Sequence, residues 1–381
     1  LAIQMEKSIT LLFKKQLRMN DMSDLVKYQN EVDTAKEFNE IDRIKLRRFE
    51  ELHLLHYKHS LEYQRIVTNL NFKSENFESI QEIPYLPVGI FKQLDLTSVP
   101  ETSLIKKMYS SGTTGANRSR IHLDRETARN QTRVLGKTIS DRLHLTRSPM
   151  LIIDSPDTLK NKTNFTARAA GIVGFSMFAS KTYFALNDDM SLNISSIEEF
   201  ATRSTETKAI IFGFTSIIWL EFLEKLHSKN VSLDLGNAVV IHGGGWKKLI
   251  HLNISNTKFK SELSKTLCVG EVINYYGMIE QTGSIFMECE AGYLHTTPYN
   301  EIFIRDFKDF KVKNISENGI VQVLSVIPES YPGFSILTED LGAIYGINNC
   351  KCGRYGKYFK ISGRIQNADL RGCSDTYVGD F

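Results

Sequence analysis

The sequence contains no apolar run long enough to cross a bilayer. Its 381 residues are 41% hydrophobic, but these residues occur in short runs, and a membrane-spanning helix needs about 20 consecutive apolar positions. The run from Ile9 to Phe13 is too short, and too close to charged residues, to form the core of a signal peptide. We therefore expect a cytoplasmic protein without a membrane span.

The chain also has little excess charge and few cysteines. Lys plus Arg total 47 and Asp plus Glu total 44, so the net charge of +3 does not favour a nucleic-acid partner. Five cysteines, an odd number unevenly spaced in a long chain, indicate free thiols or a metal site rather than a disulfide framework. No internal repeat is evident, and no Walker A spacing occurs. This composition is typical of a globular enzyme.

The sequence pattern divides the chain into four segments. Residues 1–105 are polar and rich in helix signals, with apolar positions recurring every three or four residues. Strand and helix signals alternate over 106–284, with helices expected near Glu126 to Leu143 and from about Thr215 to Ser228. This alternation predicts a mostly parallel sheet covered by helices, with a nucleotide-binding core. Closely spaced strand signals over 285–361 predict a small β-rich subdomain, and 362–381 form a tail rich in Gly, Cys and Arg. The predicted fold class is α/β.

The ten residues from Tyr109 to Arg118 concentrate hydroxyls, glycines and positive charge. Glycines let the backbone approach a ligand closely, while hydroxyl and free N–H groups bond phosphate oxygens. Arg118 and Arg120 add charge at the exit, and the alternation at Ile121 and Leu123 predicts a strand there. A solvated turn is the alternative, because such clusters are common in turns. The candidate phosphate-binding residues are Ser110, Ser111, Gly112, Thr113, Thr114 and Gly115.

Four further segments follow this loop: 242–246 (His-Gly-Gly-Gly-Trp), 274–280 (Asn-Tyr-Tyr-Gly-Met-Ile-Glu), 337–342 (Leu-Thr-Glu-Asp-Leu-Gly) and 362–364 (Ser-Gly-Arg). Each alone is weak, since a triple glycine is usually a tight turn. Together, in this order and spacing, they are a strong signature. The candidate cofactor-binding residues among them are Gly243, Gly244, Gly245, Tyr275, Tyr276, Gly277, Met278, Asp340 and Arg364.

From Tyr109 to Gly372 these motifs resemble those of the adenylate-forming superfamily, which includes acyl-CoA synthetases and luciferases. Within it the chain looks most like the acyl-protein synthetase (LuxE) family, and more distantly like phenylacetate-CoA ligases, on the Gly-Gly-Gly-Trp-Lys run from Gly243 and the Tyr-Pro-Gly-Phe run from Tyr331. The resemblance implies the large N-terminal-type domain of that superfamily. It also implies a ligase that uses ATP and Mg²⁺ to activate a fatty or aryl carboxylic acid as an acyl-adenylate.

The resemblance also implies roles for single residues. The loop would hold the leaving pyrophosphate, with Arg118 where the family usually has lysine, a catalytic position. Glu280 matches the acid that holds Mg²⁺, a cation that prefers carboxylate and phosphate oxygens. Tyr276 would lie against the adenine, and Asp340 matches the carboxylate that binds the ribose hydroxyls. The alternatives are solvated acids for Glu280 and Asp340 and an ordinary core aromatic for Tyr276.

The end of the sequence departs from the superfamily pattern. Arg364 matches the arginine near the hinge that reaches the nucleotide, but the acids and lysine that usually follow are replaced by residues such as Gln366 and Asn367. Because few residues follow Gly372, we expect 362–381 to be a hinge remnant and tail without the full C-terminal lid domain. Another cation, or a partner, would then replace the lid lysine.

Cys373 matches the position where acyl-protein synthetases carry a cysteine that becomes acylated. The neighbouring Arg371 would favour the thiolate, which is the attacking species; an incidental tail cysteine is the alternative. We expect a protein partner, which would be an acyl reductase, an acyltransferase or an acyl carrier protein. Two other functions stay open: an acyl-CoA or acyl-carrier-protein ligase, and a non-catalytic nucleotide-binding scaffold of a reductase or surface-polymer pathway.

The remaining thiols suggest a structural zinc site. Cys289, His295, Cys350 and Cys352 would satisfy tetrahedral Zn²⁺, and phenylacetate-CoA ligases carry a similar set. Buried free cysteines that pack as small hydrophobes are the alternative. Cys268, at the apolar end of a helix, is expected to be a core residue.

Apolar residues between 212 and 219 are candidates for an acyl pocket, although core packing is the alternative. They are Phe212, Gly213, Phe214 and Trp219. His242 is expected to pack at a strand end rather than to act as a base.

Overall fold

The computed structural model describes residues 23–110, 118–145, 147–160, 165–244 and 254–365. The helices in these ranges are α1 (Asp24–Thr34), α2 (Phe38–His59), α3 (Leu61–Asn69), α4 (Ile90–Gln93), α5 (Arg125–Leu143), α6 (Ala167–Ser176), α7 (Ile194–Ser204), α8 (Thr215–Ile217), α9 (Glu224–Ser228) and α10 (Asn256–Leu267). Among the described residues, no helix combines the length and apolar character that a bilayer crossing requires.

The strands fall into three sheets. They are β1 (Leu86–Pro87), β2 (Leu104–Tyr109), β3 (Arg120–Asp124), β4 (Ser148–Ile153), β5 (Phe165–Thr166), β6 (Ala179–Phe184), β7 (Ala209–Phe214), β8 (Ala238–Gly243), β9 (Glu271–Tyr276), β10 (Phe286–Met287), β11 (Leu294–His295), β12 (Asn300–Arg305), β13 (Gly319–Ser325), β14 (Ser335–Ile347) and β15 (Lys357–Arg364). Alternating helices and parallel strands in the middle of the chain, followed by antiparallel strands, confirm the predicted α/β fold.

The central sheet has the order β10-β9-β8-β7-β4-β6, and all of its strands except β10 run parallel. Strands β7 and β8 are almost entirely buried, because helices cover both faces of the sheet. One face packs against α5 and α6, and the other against α7 and α10. Such a sheet presents the carboxyl ends of its strands along one edge, where ligands of open α/β folds bind.

Helix α5 shows how local sequence sets these elements. The Asp124 carboxylate caps it by accepting the backbone N–H of Thr127 at 2.8 Å. The helix ends at His144, which adopts a left-handed conformation with φ of 49°. Val134 packs in the cluster shared with the N-terminal helices, and Ile139 packs against the central sheet. The helix predicted around Glu126 to Leu143 is therefore confirmed.

The segment from Thr215 to Ser228 is helical, as predicted, but its middle part, Ile218–Leu223, is a π-helix between α8 and α9. The prediction that Cys268 is a core residue is wrong. Cys268 is exposed, and with φ of 52° it ends α10 in the left-handed conformation. The helix stops one residue earlier than the apolar pattern suggested, so the thiol turns away from the core.

The second sheet is antiparallel, with the order β11-β15-β14-β13-β12, and β1 pairs with β14 in parallel. Its inner face shares the largest apolar cluster with the N-terminal helices, so that Leu25 and Phe49 belong to the same core as Val323 and Phe359. Phe38, at the start of α2, is half exposed and lies outside this core. The N-terminal helices and the β-rich sheet thus form one packing unit.

The third sheet is small and has the order β3-β2-β5. Strands β2 and β3 form an antiparallel hairpin that brackets the hydroxyl-rich loop, which confirms the strand predicted at Ile121 and Leu123. The division into four segments stays a prediction. Its boundaries at 106 and 361 fall inside β2 and β15, which continue across them.

Candidate functional site

The carboxyl ends of β7, β8 and β9 lie side by side, because the register pairs Phe214 with Gly243 and Gly243 with Tyr275. Gly243 needs to be glycine, since a Cβ there would lie 2.3 Å from the Tyr275 ring. Gly244 has φ of 76° and turns the chain away at the sheet edge. Because both residues are glycines, they place no side chain at this edge of the sheet. The ring of Tyr275 is buried in the core.

Tyr276 joins the central sheet to the antiparallel sheet. Its hydroxyl donates a hydrogen bond of 2.6 Å to Oδ2 of Asp340, on β14. Burial and the negative charge of Asp340 both raise the pKa of Tyr276, so the phenol stays protonated and acts as a donor. Gly277 is exposed, and Met278 is half-buried. A tyrosine and an aspartate predicted to contact one nucleotide are thus in direct contact.

Glu280 lies in the short 3₁₀ helix Ile279–Gln281 and is only 4% exposed. Burial raises the pKa of its carboxyl above the usual range, and the hydroxyl of Ser119, which donates a hydrogen bond to it, opposes part of that shift. The Tyr331 hydroxyl donates to the Glu280 backbone carbonyl at 2.9 Å. Gln281 donates through Nε2 to the carbonyls of Gly333 and Phe334, among others. These contacts fix the backbone that carries the buried acid.

Ser110 and Ser119 close the base of the β2–β3 hairpin. The Ser110 N–H donates to the Ser119 carbonyl at 3.0 Å, and the Ser119 N–H donates to the Ser110 hydroxyl at 3.0 Å. Ser119 thereby links the hairpin to Glu280, and Arg118 beside it is half-buried. The predicted residues that lie outside the described part of the chain are Ser111, Gly112, Thr113, Thr114, Gly115, Gly245 and Cys373.

Arg364 lies directly across from Asp340 in the β14–β15 pair, but its guanidinium pairs with the carboxylate of Glu339. The Glu339 side chain is 2% exposed, whereas that of Arg364 is 45% exposed. The N–H of Ile365 donates to the Glu339 carbonyl at 2.9 Å. The last described residues of the chain are therefore held beside Asp340.

Two further predicted groups separate in the structure. Phe212 stacks on Phe175 with ring centroids 4.3 Å apart, on one face of the central sheet. Trp219 packs on the other face and donates through Nε1 to Glu224 at 2.9 Å, so it does not share a pocket with Phe212. His242 is buried, as expected, with Nδ1 3.0 Å from the Thr215 hydroxyl, and burial lowers its pKa to about 3.

Cys289, His295, Cys350 and Cys352 form one cluster, and their ligand atoms all lie within 4.8 Å of one another. The Sγ atoms of Cys289 and Cys350 are 3.9 Å apart, and Cys352 Sγ lies 3.4 Å from His295 Nε2. Around tetrahedral Zn²⁺, two sulfurs would be separated by about 3.8 Å and a sulfur and a nitrogen by about 3.6 Å. The four side chains fit a zinc ion. Cys289 lies in the turn before β11 and His295 on β11 itself, while Cys350 and Cys352 lie in the turn before β15, which pairs with β11.

Three residues around the site were not predicted as parts of it: Ser119, Glu339 and Tyr331. Glu339 lies next to a predicted residue, and Tyr331 lies in a motif that was noticed for its resemblance only. The contacts of these three residues join segments that are distant in sequence, and sequence motifs do not show such contacts.

The fold is similar to that of solved adenylate-forming ligases. A solved structure of 2-hydroxyisobutyryl-CoA ligase, in an open conformation with 2-HIB-AMP and CoA, superposes with a TM-score of 0.66 at 13% identity, covering 86% of this chain and 76% of that one. The same ligase in a postadenylation state gives 0.67, covering 86% and 68%. At such low identity the likeness concerns the fold alone.

The chain belongs to the acyl-protein synthetase, LuxE, family, whose profile matches residues 17–381, and it is a ligase of that family. Two relatives are both long-chain-fatty-acid–luciferin-component ligases. The one from Aliivibrio fischeri is 23% identical over 316 residues, 81% of each chain. The one from Vibrio harveyi is 20% identical over 332 residues, 84% of this chain and 83% of the relative.

Proposed function

We propose that this ligase uses ATP to convert a carboxylic acid into an acyl-adenylate, with release of pyrophosphate, and passes the acyl group to a thiol. The names of the two relatives point to a long-chain fatty acid as the substrate. The observation that carries the proposal is the convergence of Asp340, Tyr276 and Glu280 at the carboxyl edge of the parallel sheet, beside the base of the hydroxyl-rich hairpin. Ligands of open α/β sheets bind at that edge.

The site residues would divide the task as follows. Asp340 would accept hydrogen bonds from the ribose hydroxyls, with Tyr276 beside the adenine. Ser110 and the loop after it would bind the phosphates, and Arg118 would offset the charge of the leaving pyrophosphate. Glu280 would hold Mg²⁺, which neutralises phosphate charge when bound. Burial of Glu280 suits that role because an ion would compensate the cost of keeping the carboxylate charged.

An exchange assay tests the adenylation step. The protein is incubated with ATP, labelled pyrophosphate, Mg²⁺ and a panel of fatty and aryl acids, and acid-dependent return of label into ATP is measured. Exchange with at least one acid supports the proposal. Absence of exchange with every acid, together with absence of nucleotide binding, contradicts it.

Cys373 is the candidate acyl acceptor. The described chain ends at Ile365, which is held beside Asp340, and Cys373 is eight positions further on (373 − 365 = 8). Eight residues span at most about 29 Å, which is enough to return to the site. The expected result is a hydroxylamine-labile acyl label that disappears in Cys373→Ser. Label that persists in this variant removes Cys373 from the reaction.

CoA or an acyl carrier protein would be the acceptor in the alternative function, which the structural likeness to a CoA ligase brings into consideration. Adding each thiol separately and following thioester formation distinguishes the acceptors. A protein partner that takes the acyl group from this chain stays a prediction.

We also propose that the Cys289, His295, Cys350 and Cys352 cluster holds one Zn²⁺ ion. Four protein ligands would complete the coordination shell, so the ion would supply structure and no open position for catalysis. It would tie the turn before β11 to the turn before β15, which leads on to Arg364.

A further inference from the structure

Arg168 lies between the hydroxyl-rich hairpin and the central sheet. It belongs to the first turn of α6 and follows Thr166, the partner of Tyr109 in the β2–β5 pair. Helix α6 therefore begins beside the strand that leads into Ser110. An arginine here is close to the point where a nucleotide phosphate and an acid substrate would meet.

A buried carboxylate holds this arginine in one orientation. Asp154, directly after β4, is fully buried, and its Oδ1 accepts the N–H of Ser155 at 2.6 Å and the hydroxyl of Thr158 at 2.7 Å. Nε and Nη2 of Arg168 donate to the two Asp154 oxygens. Such a bidentate pair fixes the plane of the guanidinium.

The contact with Asp154 leaves the Arg168 side chain partly exposed. The Arg168 side chain is 32% exposed although its partner is buried. Its contacts with Asp154 use Nε and Nη2, and Nη1 has no hydrogen-bond partner among the residues for which the structure gives positions. Asp154 thus orients the Arg168 guanidinium, and Nη1 remains without a hydrogen-bond partner among the described residues.

Asp154 lies at the topological switch point of the central sheet, where the order of the strands reverses direction. Strand β4 lies between β6 and β7, and the chain passes from β4 to β6 on one side and later to β7 on the other. Crevices of open α/β sheets form outside the carboxyl ends of strands at such a point. Asp154 follows β4 and Phe214 ends β7, so the crevice would lie between them.

The wall beside Arg168 is apolar. Gly171, one turn further along α6, faces the Phe214 ring, and a Cβ on Gly171 would lie 3.0 Å from Phe214 Cζ. Phe175, another turn along, stacks on Phe212. Phe175 and Phe212 are buried, whereas Phe214 is half-buried. The Phe214 ring is therefore the apolar surface next to Arg168, which suits a ligand with a charged head and an apolar tail.

We propose that Arg168 binds the carboxylate of the acid substrate, with the apolar tail of the acid directed along the Phe214 ring. This inference rests on the proposed function and adds a substrate-binding residue to it. The carboxylate is favoured over a nucleotide phosphate because the residues after Arg168 on α6 are apolar, whereas the hydroxyl-rich hairpin already offers groups for phosphate.

The test compares dodecanoate with dodecanol, which has the same chain without the charge. Binding of each to the full-length protein is measured by calorimetry for wild type, Arg168→Gln and Arg168→Lys. Arg203→Gln is the control, since Arg203 lies on α7 and forms an exposed pair with Glu206. ATP binding is measured in parallel, and circular dichroism checks that each variant is folded.

Arg168→Gln is expected to weaken dodecanoate binding by about 10- to 100-fold, the loss typical of a hydrogen bond to a charged group. The affinities of Arg168→Gln for dodecanol and ATP should not change. Arg168→Lys should lose less dodecanoate affinity than Arg168→Gln, and Arg203→Gln should bind dodecanoate as tightly as wild type. Unchanged dodecanoate affinity, or an equal loss for both ligands, overturns the inference. Weaker ATP binding with unchanged dodecanoate binding overturns it too and assigns Arg168 to the nucleotide. If Arg168→Gln does not fold, Arg168→Lys decides by the same comparison.

Pyrophosphate exchange separates this inference from the proposed function. Exchange in wild type, with dodecanoate affinity unaffected by Arg168→Gln, overturns the role of Arg168 alone. Absence of exchange with every acid, together with absence of ATP binding in wild type, overturns the proposed function as well.

Discussion

The hydroxyl of Tyr276 donates a 2.6 Å hydrogen bond to Asp340, although the two residues are 64 positions apart and belong to different sheets. The bond joins the edge of the parallel sheet to the middle of β14. Any ligand that contacts both residues would be bound by both sheets together.

Asp340→Asn should weaken ATP binding. The change keeps the shape of the side chain but removes the negative charge that would strengthen hydrogen bonds from the ribose hydroxyls. The KM for ATP in pyrophosphate exchange should therefore rise by about 10-fold or more. Asp309→Asn is the control, because Asp309 pairs with Lys311 in an exposed turn. An unchanged KM for ATP in Asp340→Asn would show that the carboxylate does not bind the nucleotide.

Glu280→Gln should abolish activity and stabilise the fold near neutral pH. Burial raises the pKa of Glu280, so the charged form is disfavoured in the folded state. Protonated Glu280 therefore contributes stability that is fully present below the pKa of this carboxyl in the unfolded chain. That contribution is lost as the pH rises through the pKa of the carboxyl in the folded protein. Without Mg²⁺ and ATP, the Tm of Glu280→Gln should therefore exceed that of wild type at pH 8 and approach it at pH 4.

Wild-type activity should correspondingly fall when acidification protonates Glu280. Glu198→Gln, on the exposed side of α7, provides the control and should change neither Tm nor activity. The same Tm difference between Glu280→Gln and wild type at every pH would contradict the raised pKa.

Lys45→Met should destabilise the protein by about 3–5 kcal/mol, the cost of removing one partner of a buried ion pair. Lys45 Nζ lies 2.6 Å from Glu301 Oε2, and Lys357 lies 3.2 Å from Oε1. Burial alone would raise the pKa of Glu301, but the charges of Lys357 and Lys45 hold it at about 2. The ionised form therefore contributes stability above the unfolded pKa, which is lost as pH falls toward about 2.

Urea unfolding at pH 7 measures this effect. Lys73→Met is the matched control, because Lys73 pairs with Glu82 at the surface, where the loss should be below about 1 kcal/mol. Equal losses of unfolding free energy in Lys45→Met and Lys73→Met would mean that burial does not make the Lys45–Glu301 pair more important for stability.

Cys350→Ser should remove zinc and lower the Tm by about 5 °C or more, because metal binding to a preformed cluster stabilises the fold. Elemental analysis of the purified protein measures zinc, with one ion per chain expected in wild type. Cys268→Ser is the control, since Cys268 is an exposed thiol outside the cluster. Wild-type protein that contains no zinc after purification with zinc present would refute the site.

Local patterns were enough to predict several elements. The apolar/polar alternation after the hydroxyl-rich loop predicted β3, and the succession of helix and strand signals further along the chain predicted α5. The extent of α10 at Cys268 was misjudged, because a left-handed cap is decided by backbone conformation and leaves little trace in an apolar pattern.

Long-range contacts were beyond such patterns. Arg168 is an ordinary helix residue in sequence, and its relation to Asp154 depends on how α6 packs beside β4. Glu280 was predicted from a motif, but its burial and its hydrogen bonds with Ser119 and Tyr331 required three segments to meet. The Cys and His spacing indicated a metal site, while the ligand distances came only from the pairing of β11 with β15.

The core that Leu25 shares with Phe359 has a consequence for synthesis on the ribosome. Helices α1 and α2 emerge long before the strands that cover them, so their apolar faces stay unburied until β12 to β15 have been made. Contacts this distant in sequence also slow folding. Nascent chains of this protein should therefore depend on chaperones, and fragments cut before β15 should aggregate rather than fold.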